Sequence, residues 1–480
     1  MKDISDQEVT EHLKRLNRWW TSSEPDPGVS DLTPRAYLPA VRALVTDERL
    51  RRAVVLLGPR RVGKTILIRH LVQSLIDAGV QRQRIGYVEV DHPLLRGQSM
   101  ENLVDLMIQA GADDSSGTRY FFFDEIQYLK DWEQHLKALV DHRPDLRILV
   151  SGSAAAALRR QSSESGAGRF TDFLLPPLTF PEYLNLRKES AEIEKTDDGK
   201  YVLKNIASLN KQFVDYVNFG GYPELALSPA VRSDPARFIK SDIVDKVLLR
   251  DLPQLYGIQD IQELNSLFTL LAYNTGEEVS LEGLAKKSGV GKPTISRYIE
   301  YLEAAFLIKR IFRVDQSGRR YQRERGFKVY LTNPAMRTGL FGPVNEDKEE
   351  FGHQVETAIF AQRFHEDVPL NYARWSGSDH EVDMIEQSPA LRPVAATEIK
   401  WSDLVVRDLR KLQGLIKFCK ENSLSWSIAT TKTSIVTKDV AGHSLRFLPA
   451  SVVAYIFGVR AIEGRLAQFE LVFDQSGQSE

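Results

Sequence analysis

The sequence predicts an α/β multidomain protein whose first half is a parallel sheet built around a phosphate-binding loop. Three observations predict it. Val54–Leu57 is a short apolar run, and Gly58 to Thr65 then read Gly-Pro-Arg-Arg-Val-Gly-Lys-Thr, the spacing G-x-x-x-x-G-K-[ST]. Tyr120-Phe-Phe-Phe runs straight into Asp124-Glu125, so two acids end an apolar strand. Strand-like and helix-like stretches alternate from Val54 to Gly152, the pattern of a parallel sheet covered by helices.

The whole chain sets bounds on function. Its 480 residues suggest about three domains. At 42% apolar residues, ordinary packed cores are expected. A net charge of −2 excludes a polycation, so any nucleic-acid contact must come from a local patch. The single cysteine, Cys419, excludes disulfides within the chain and argues against a cysteine zinc site. A reducing cytoplasm fits. The polar, acidic start predicts no signal peptide, and no run of 18 apolar residues predicts a membrane span.

Residues 1–50 read as a helical N-terminal segment. Val9, Leu13, Leu16, Trp19 and Trp20 stand at helical spacing, with the two tryptophans as a docking face. Glu24 to Gly28 break the chain, and a second helix is expected from Val41 to Leu50.

The loop after Val54–Leu57 is expected to hold ATP. Gly58, Pro59, Arg60, Arg61, Val62, Gly63, Lys64, Thr65 and Ile66 form its cofactor-binding set. Glycines let consecutive N–H groups point at a phosphate, and the positive end of the following helix adds attraction. Lys64 would reach the β- and γ-phosphates, while Thr65 and Asp124 would hold Mg²⁺. Glu125 would polarise the attacking water. A later strand, Arg147 to Ser153, ends in the small polar residues Ser151-Gly152-Ser153. The polar stretch 161–169 closes on Arg169, an arginine that could reach a γ-phosphate of its own site or of a neighbouring subunit in a homo-oligomer.

Taken in order, Gly58–Thr65, Asp124-Glu-Ile-Gln127, Ser151-Gly-Ser153, Gly168-Arg169 and Leu178-Thr-Phe-Pro-Glu-Tyr183 resemble a widespread group of bacterial and archaeal AAA-type ATPases that carry a long C-terminal domain. The resemblance runs from about residue 50 to about residue 430. It implies a P-loop AAA+ core over 51–190 and a polar residue at the strand end that senses the γ-phosphate, Ser151 or Ser153. It also implies a helical lid over 191–262, with Phe219-Gly-Gly-Tyr-Pro-Glu224 near the adenine.

The second half carries two further patterns. Apolar spacing predicts helices over 235–275, with Arg250 and Asp251 as charges inside the pattern: a buried pair holding the helices together or, as the alternative, a lid arginine contacting nucleotide. Residues 263–330 resemble a winged helix-turn-helix: Ser280 caps one helix, Gly289 turns, and a second helix starts near Lys292. Lys292, Thr294, Ser296 and Arg297 suit a DNA groove. The wing holds Lys309, Arg310, Arg313, Arg319, Arg320, Arg323, Arg325 and Lys328 against Asp315 and Glu324, a local excess of six positive charges. Lys292, Thr294, Arg297, Arg319, Arg320 and Arg323 are the DNA-contact candidates. A protein-binding winged helix is the alternative.

Residues 331–480 resemble the restriction-endonuclease-like fold. Glu356 lies on a helix, Asp383 on a strand, and Glu398-Ile-Lys400 on another. Strand alternation places Glu398 and Lys400 on one face. The resemblance implies a metal held by Glu356, Asp383 and Glu398, with Asp383, Glu398 and Lys400 as the cutting residues. The expected function is an ATP-binding and hydrolysing, DNA-associated protein with a metal-dependent nuclease-like domain. The alternative is a nucleotide-switched assembly protein whose nuclease-like domain is inert.

Overall fold

The computed structural model describes residues 5–24, 26–95, 97–111, 117–152, 168–190, 192–197, 199–319, 326–364, 368–374, 380–440 and 442–463. It divides into two compact units, Met1–Pro176 and Pro177–Glu480. Ser153, Arg320 and Arg323, with Trp375 and residues 161–167, lie outside the described residues.

In the first unit, helices α1 (Asp6–Leu16) and α2 (Leu38–Thr46) precede strand β1 (Ala53–Leu57). Helix α3 (Lys64–Asp77), β2 (Ile85–Glu89), α4 (Met100–Gly111), β3 (Arg119–Asp124), α5 (Trp132–His142), β4 (Leu146–Gly152) and β5 (Phe170–Leu174) follow. All five strands are parallel, in the order β2-β3-β4-β1-β5. Every residue of β1 is buried, as a continuous apolar run in a two-sided parallel sheet requires. Because β4 lies between β1 and β3, the loops leaving β1 and β3 face each other across its C-terminal end. That is where open α/β sheets bind ligands.

The N-terminal segment closes the edge strand β2. The Trp19 and Trp20 ring N–H groups both donate to the Ile85 carbonyl, at 2.9 and 2.7 Å. Asn17 donates to the Tyr87 carbonyl (2.8 Å) and accepts from the Tyr87 N–H (2.7 Å). Side chains therefore satisfy backbone groups that an edge strand leaves open. Asn17→Ala should cost about 1–3 kcal/mol, since both Tyr87 groups would be buried without partners. The unfolding midpoint in denaturant checks this; an unchanged midpoint would mean that water replaces the amide freely.

The second unit is organised by a nine-stranded mixed sheet, in the order β15-β16-β14-β13-β12-β11-β9-β10-β8. These strands are β8 (Glu278–Val279), β9 (Ile308–Val314), β10 (Phe327–Leu331), β11 (Leu370–Arg374), β12 (Glu381–Gln387), β13 (Pro393–Glu398), β14 (Trp426–Thr431), β15 (Val436–Val440) and β16 (His443–Pro449). A separate hairpin, β6 (Ile193–Lys195) with β7 (Tyr201–Leu203), precedes them. Alternation divides the sheet's side chains between two cores. Tyr372, Ile428 and Leu448 join the core of helices Phe180–Leu186, Ile206–Phe219, Glu349–Ala361 and Ala450–Glu463. Ala373, Ala429 and Phe447 face helix Gln413–Glu421, with Leu415, Phe418 and Cys419.

Several boundaries differ from expectation. Phe180, Tyr183 and Leu184, placed by the sequence in a core over 51–190, pack in the second unit's core. The division at residue 330 falls inside one continuous sheet, because β9 pairs in parallel with β11 through Asn371 opposite Phe312. Arg250 is exposed and Asp251 half-buried, so neither is buried as expected. The Gly220-Gly221 turn packs within the second unit. Gly221 has φ +85°, a side chain there would overlap Asn333, and its carbonyl accepts from Leu178 N–H at 2.7 Å.

Candidate nucleotide site and carboxylate–lysine cluster

The loop from Gly58 to Gly63 joins β1 directly to α3. Gly63, at φ +93°, precedes the first helical residue, Lys64. Lys64 is buried, and its ammonium donates to the Gly58 (3.0 Å) and Pro59 (2.8 Å) carbonyls across the loop. A Cβ on Gly58 would meet the Leu175 carbonyl oxygen, so the loop also needs its first glycine for close approach. Ile66 follows one residue into α3.

Asp124 is the centre of a hydroxyl network. Its Oδ2 accepts from Thr65 Oγ1 (2.6 Å) and from the Tyr87 hydroxyl (3.2 Å). Its Oδ1 accepts from Ser151 Oγ and from the Glu125 N–H (3.2 Å). Strand register explains the meeting: Phe123 lies opposite Val150 and Leu56 opposite Ser151. Burial, then the charges of Asp124 and Glu89, push the Tyr87 hydroxyl well above the ordinary tyrosine range, so it stays a donor. Glu125 has φ +57° and accepts from Gln127 Nε2 at 2.5 Å. A non-glycine residue in this conformation is uncommon.

These residues fit the group they are expected to hold. A threonine hydroxyl and a carboxylate at the mouth of a glycine loop are hard oxygen donors of the kind Mg²⁺ takes with a phosphate. Thr65 and Asp124 would hold the ion, which when bound neutralises phosphate charge. Glu125 stands next to Asp124, one residue beyond the end of β3.

Sequence reasoning missed three contributors. Arg35, buried, donates to the Val62 carbonyl (2.5 Å) and to the Pro176 carbonyl (3.0 Å), which ties the loop to the chain beyond β5. Tyr87 and Gln127 orient Asp124 and Glu125. Only Gln127 had a local signal, its place two residues after Glu125. Arg169 requires a correction. It immediately precedes β5, and Phe170 pairs with Ala53 at the start of β1. That edge of a parallel sheet is opposite the loop after Leu57, roughly 15 Å away at about 3.3 Å per residue. Arg169 instead pairs with Asp141 at 3.0 Å, so it does not serve the phosphate of its own loop.

In the second unit the structure brings Glu356, Asp383, Glu398 and Lys400 together. Lys400 Nζ lies 2.7 Å from Glu398 Oε1 and 3.2 Å from Asp383 Oδ2, and that Asp383 oxygen also accepts from the Ile399 N–H at 2.8 Å. A residue the sequence placed in the wing joins them. Lys328 Nζ stands 3.1 Å from Glu356, 2.5 Å from Glu381 and 3.6 Å from Asp383. The Tyr330 hydroxyl donates to Glu356. Burial opposes charge on Lys328, but Glu356, Tyr330, Asp383 and Glu381 outweigh it and hold its pKa well above the usual lysine range. Burial likewise pushes Asp383 up, yet Lys400 and Lys328 hold it below the usual carboxylate range. Among the described residues no group of three His, Cys, Asp or Glu side chains could hold a metal ion. In this arrangement two ammonium groups, of Lys328 and Lys400, stand among the three carboxylates.

Burial, then the charge of Asp383, pushes Glu398 up to about 8. A raised carboxyl favours the fold while protonated. That contribution is complete below the unfolded value of about 4.3 and is lost as pH rises through the folded one. Glu398→Gln should therefore flatten the fall in unfolding midpoint between about pH 5 and pH 8. Parallel wild-type and variant curves would contradict the assignment.

The DNA candidates are less uniform than their sequence suggests. Arg297 and Arg319 are exposed, Thr294 is half-buried, and exposed Lys292 pairs with Glu282 at 2.6 Å. Of the wing cations, Arg310 pairs with Glu303 (2.6 Å), Arg313 lies 3.7 Å from Glu278, and Lys328 is buried. Among the described wing residues, folding thus supplies acids that a count along the wing omits; Glu324 and Arg325 lie outside the described residues.

Comparison with known proteins agrees with the first site. Residues 50–184 match a family described as an AAA domain, and residues 210–347 match a domain of unknown function (DUF8612). An uncharacterized protein of Haemophilus influenzae is 24% identical over 316 residues, covering 64% of this chain and 73% of that protein. An uncharacterized protein of Methanocaldococcus jannaschii is 26% identical over 269 residues, covering 53% of this chain and 55% of that protein, so the chain spans about half the length of this relative. Among solved structures, the replication initiator DnaA bound to AMPPCP and single-stranded DNA aligns with a TM-score of 0.28 at 12% identity, over 58% of this chain and 92% of that one. The Saccharomyces cerevisiae Hsp104–ADP complex aligns with a TM-score of 0.27 at 14% identity, over 55% of this chain and 37% of that one. Scores this low add nothing to the geometry above. No helix among the described residues is long and apolar enough to cross a membrane. The loop, the two acids and the parallel sheet lie in the stretch that matches the AAA domain, residues 50–184, and agree with a P-loop ATPase-like domain there.

Proposed function

We propose that the chain binds and hydrolyses ATP with Mg²⁺ at the Gly58–Thr65 loop and works on DNA. The observation that carries the ATP reading is the meeting of Thr65, Asp124 and Ser151, with Lys64 across the loop and Glu125 beside it. Lys64 binds phosphate, Thr65 and Asp124 hold the metal, Ser151 positions Asp124, and Glu125 takes the proton of the attacking water. Ser153 is a second polar candidate at the strand end, and Arg169 is a candidate only for the site of a neighbouring subunit in a homo-oligomer.

The DNA reading rests on the helix-turn-helix pair, Leu281–Ser288 and Lys292–Ala304, followed by the β9–β10 hairpin. Exposed Arg297 and Arg319 would contact phosphate, with Lys292 and Thr294 beside Arg297 on the same helix; Arg320 and Arg323, outside the described residues, remain candidates from the sequence. Arg297→Glu with Arg319→Glu should weaken binding to all DNA sequences alike, and wild-type affinity should fall steeply with salt. A gel shift at stated salt checks both; binding that ignores salt and these changes would favour a protein partner.

For the nuclease-like part, metal-dependent cutting by Asp383, Glu398 and Lys400 is one reading. A binding or assembly role without cutting is the other, and Lys328 among Glu356, Glu381 and Asp383 favours it.

A further inference from the structure

Lys328 lies in β10, where every residue is buried. A lysine there is costly unless its charge is matched. Three acids match it, from helix Glu349–Ala361 and from β12, and the Tyr372 ring stands 5.5 Å from its ammonium. Tyr330, two residues on and so on the same face of the strand, reaches the same Glu356. A strand of the helix-turn-helix part thus delivers a cation and a hydroxyl to acids of the nuclease-like part.

A divalent ion shared by Glu356 and Asp383 would have to take the place of this ammonium or stand beside it against repulsion. Two of the remaining donor atoms are engaged as well. Asp383 Oδ2 accepts from Ile399 and Lys400, and Glu398 Oε1 faces Lys400. Glu398 Oε2, buried and without a hydrogen-bond partner among the described residues, is a single oxygen and makes no site by itself. Mg²⁺ asks for near-octahedral oxygen at about 2.1 Å, which this lysine-filled arrangement does not offer.

We propose that Lys328 is the resident cation of this centre and keeps divalent metal out of it. The inference rests on the nuclease-like reading only for where a metal would go, and metal uptake is measured apart from DNA cutting. The test is Mn²⁺ titration of the full chain without nucleotide, read by the electron paramagnetic resonance signal of free Mn²⁺. Wild type and Asp383→Asn should bind alike. Lys328→Met should gain a Mn²⁺ site that Lys328→Met with Asp383→Asn loses again. If melting shows that Lys328→Met does not fold, Lys328→Met with Glu381→Gln removes one charge of each sign and takes its place. A wild-type Mn²⁺ site abolished by Asp383→Asn overturns the proposal. So does a folded Lys328 variant that gains none. DNA cutting scores the other question: a Lys328 variant that takes up Mn²⁺ and leaves DNA intact supports metal exclusion and removes the cutting reading.

Discussion

Lys64→Ala should abolish ATP hydrolysis, with turnover falling by about 100- to 1,000-fold or more. The ammonium is held over the loop by the Gly58 and Pro59 carbonyls, at 3.0 and 2.8 Å. It is therefore already oriented toward the space the loop encloses, and phosphate oxygens can replace the carbonyls as its partners. Alanine removes the charge and leaves the backbone cradle, so nucleotide affinity should fall as well. Phosphate release and a fluorescent ATP analogue measure the two effects. Because Lys64 is buried, a melting curve must accompany them. Wild-type turnover in a folded Lys64→Ala would refute the nucleotide site itself.

Glu125→Gln should separate binding from chemistry. The side chain keeps its size and can still accept from Gln127, so the loop and Asp124 network stay as they are. What is lost is the carboxylate that draws a proton from water, a contribution of about 100- to 10,000-fold. ATP should bind as in the wild type and remain uncleaved, which filter binding with γ-labelled ATP would detect. If turnover is unchanged, the acid that activates water is another residue; if binding is lost, Glu125 shapes the loop instead.

The glycine loop and the strand-ending acids were legible because their signals are local. A glycine loop between an apolar strand and a helix, and two acids closing a second apolar strand, each fit within a dozen residues. The partners that orient them were not legible. Asn17 and Arg35 lie in a segment that reads only as a helical docking face, and their targets, Tyr87 and Val62, are set by folding. The partner of Ser151, Asp124, is likewise set only by the place of β4 between β1 and β3. The Arg169 outcome was available in principle. In a parallel sheet, residues that precede a strand stand at the edge opposite the loops that follow strands, so Arg169 before β5 could not face Gly58 after β1.

The second half was legible as elements more than as assembly. Lys400 lies two residues past the end of β13, so strand alternation does not place it, yet its ammonium meets Glu398 and Asp383, and Glu356 stands beside them. Lys328 was read as one more wing cation. Its role depends on Glu356, Glu381 and Asp383, which reach it only through the β9–β11 pairing that fuses two expected domains into one sheet. Arg310 and Arg313 meet Glu303 and Glu278, acids of the same helix-turn-helix stretch that precede the wing and so escape a count along it.

The most direct test of an ATP-driven, DNA-associated protein is steady-state phosphate release from the purified chain with Mg²⁺ and ATP, at low salt, with and without duplex and single-stranded DNA. The account predicts turnover that depends on Lys64 and Glu125, rises when DNA is added, and loses that rise in Arg297→Glu with Arg319→Glu. Turnover indifferent to every DNA tested, in a preparation that binds ATP, would contradict it.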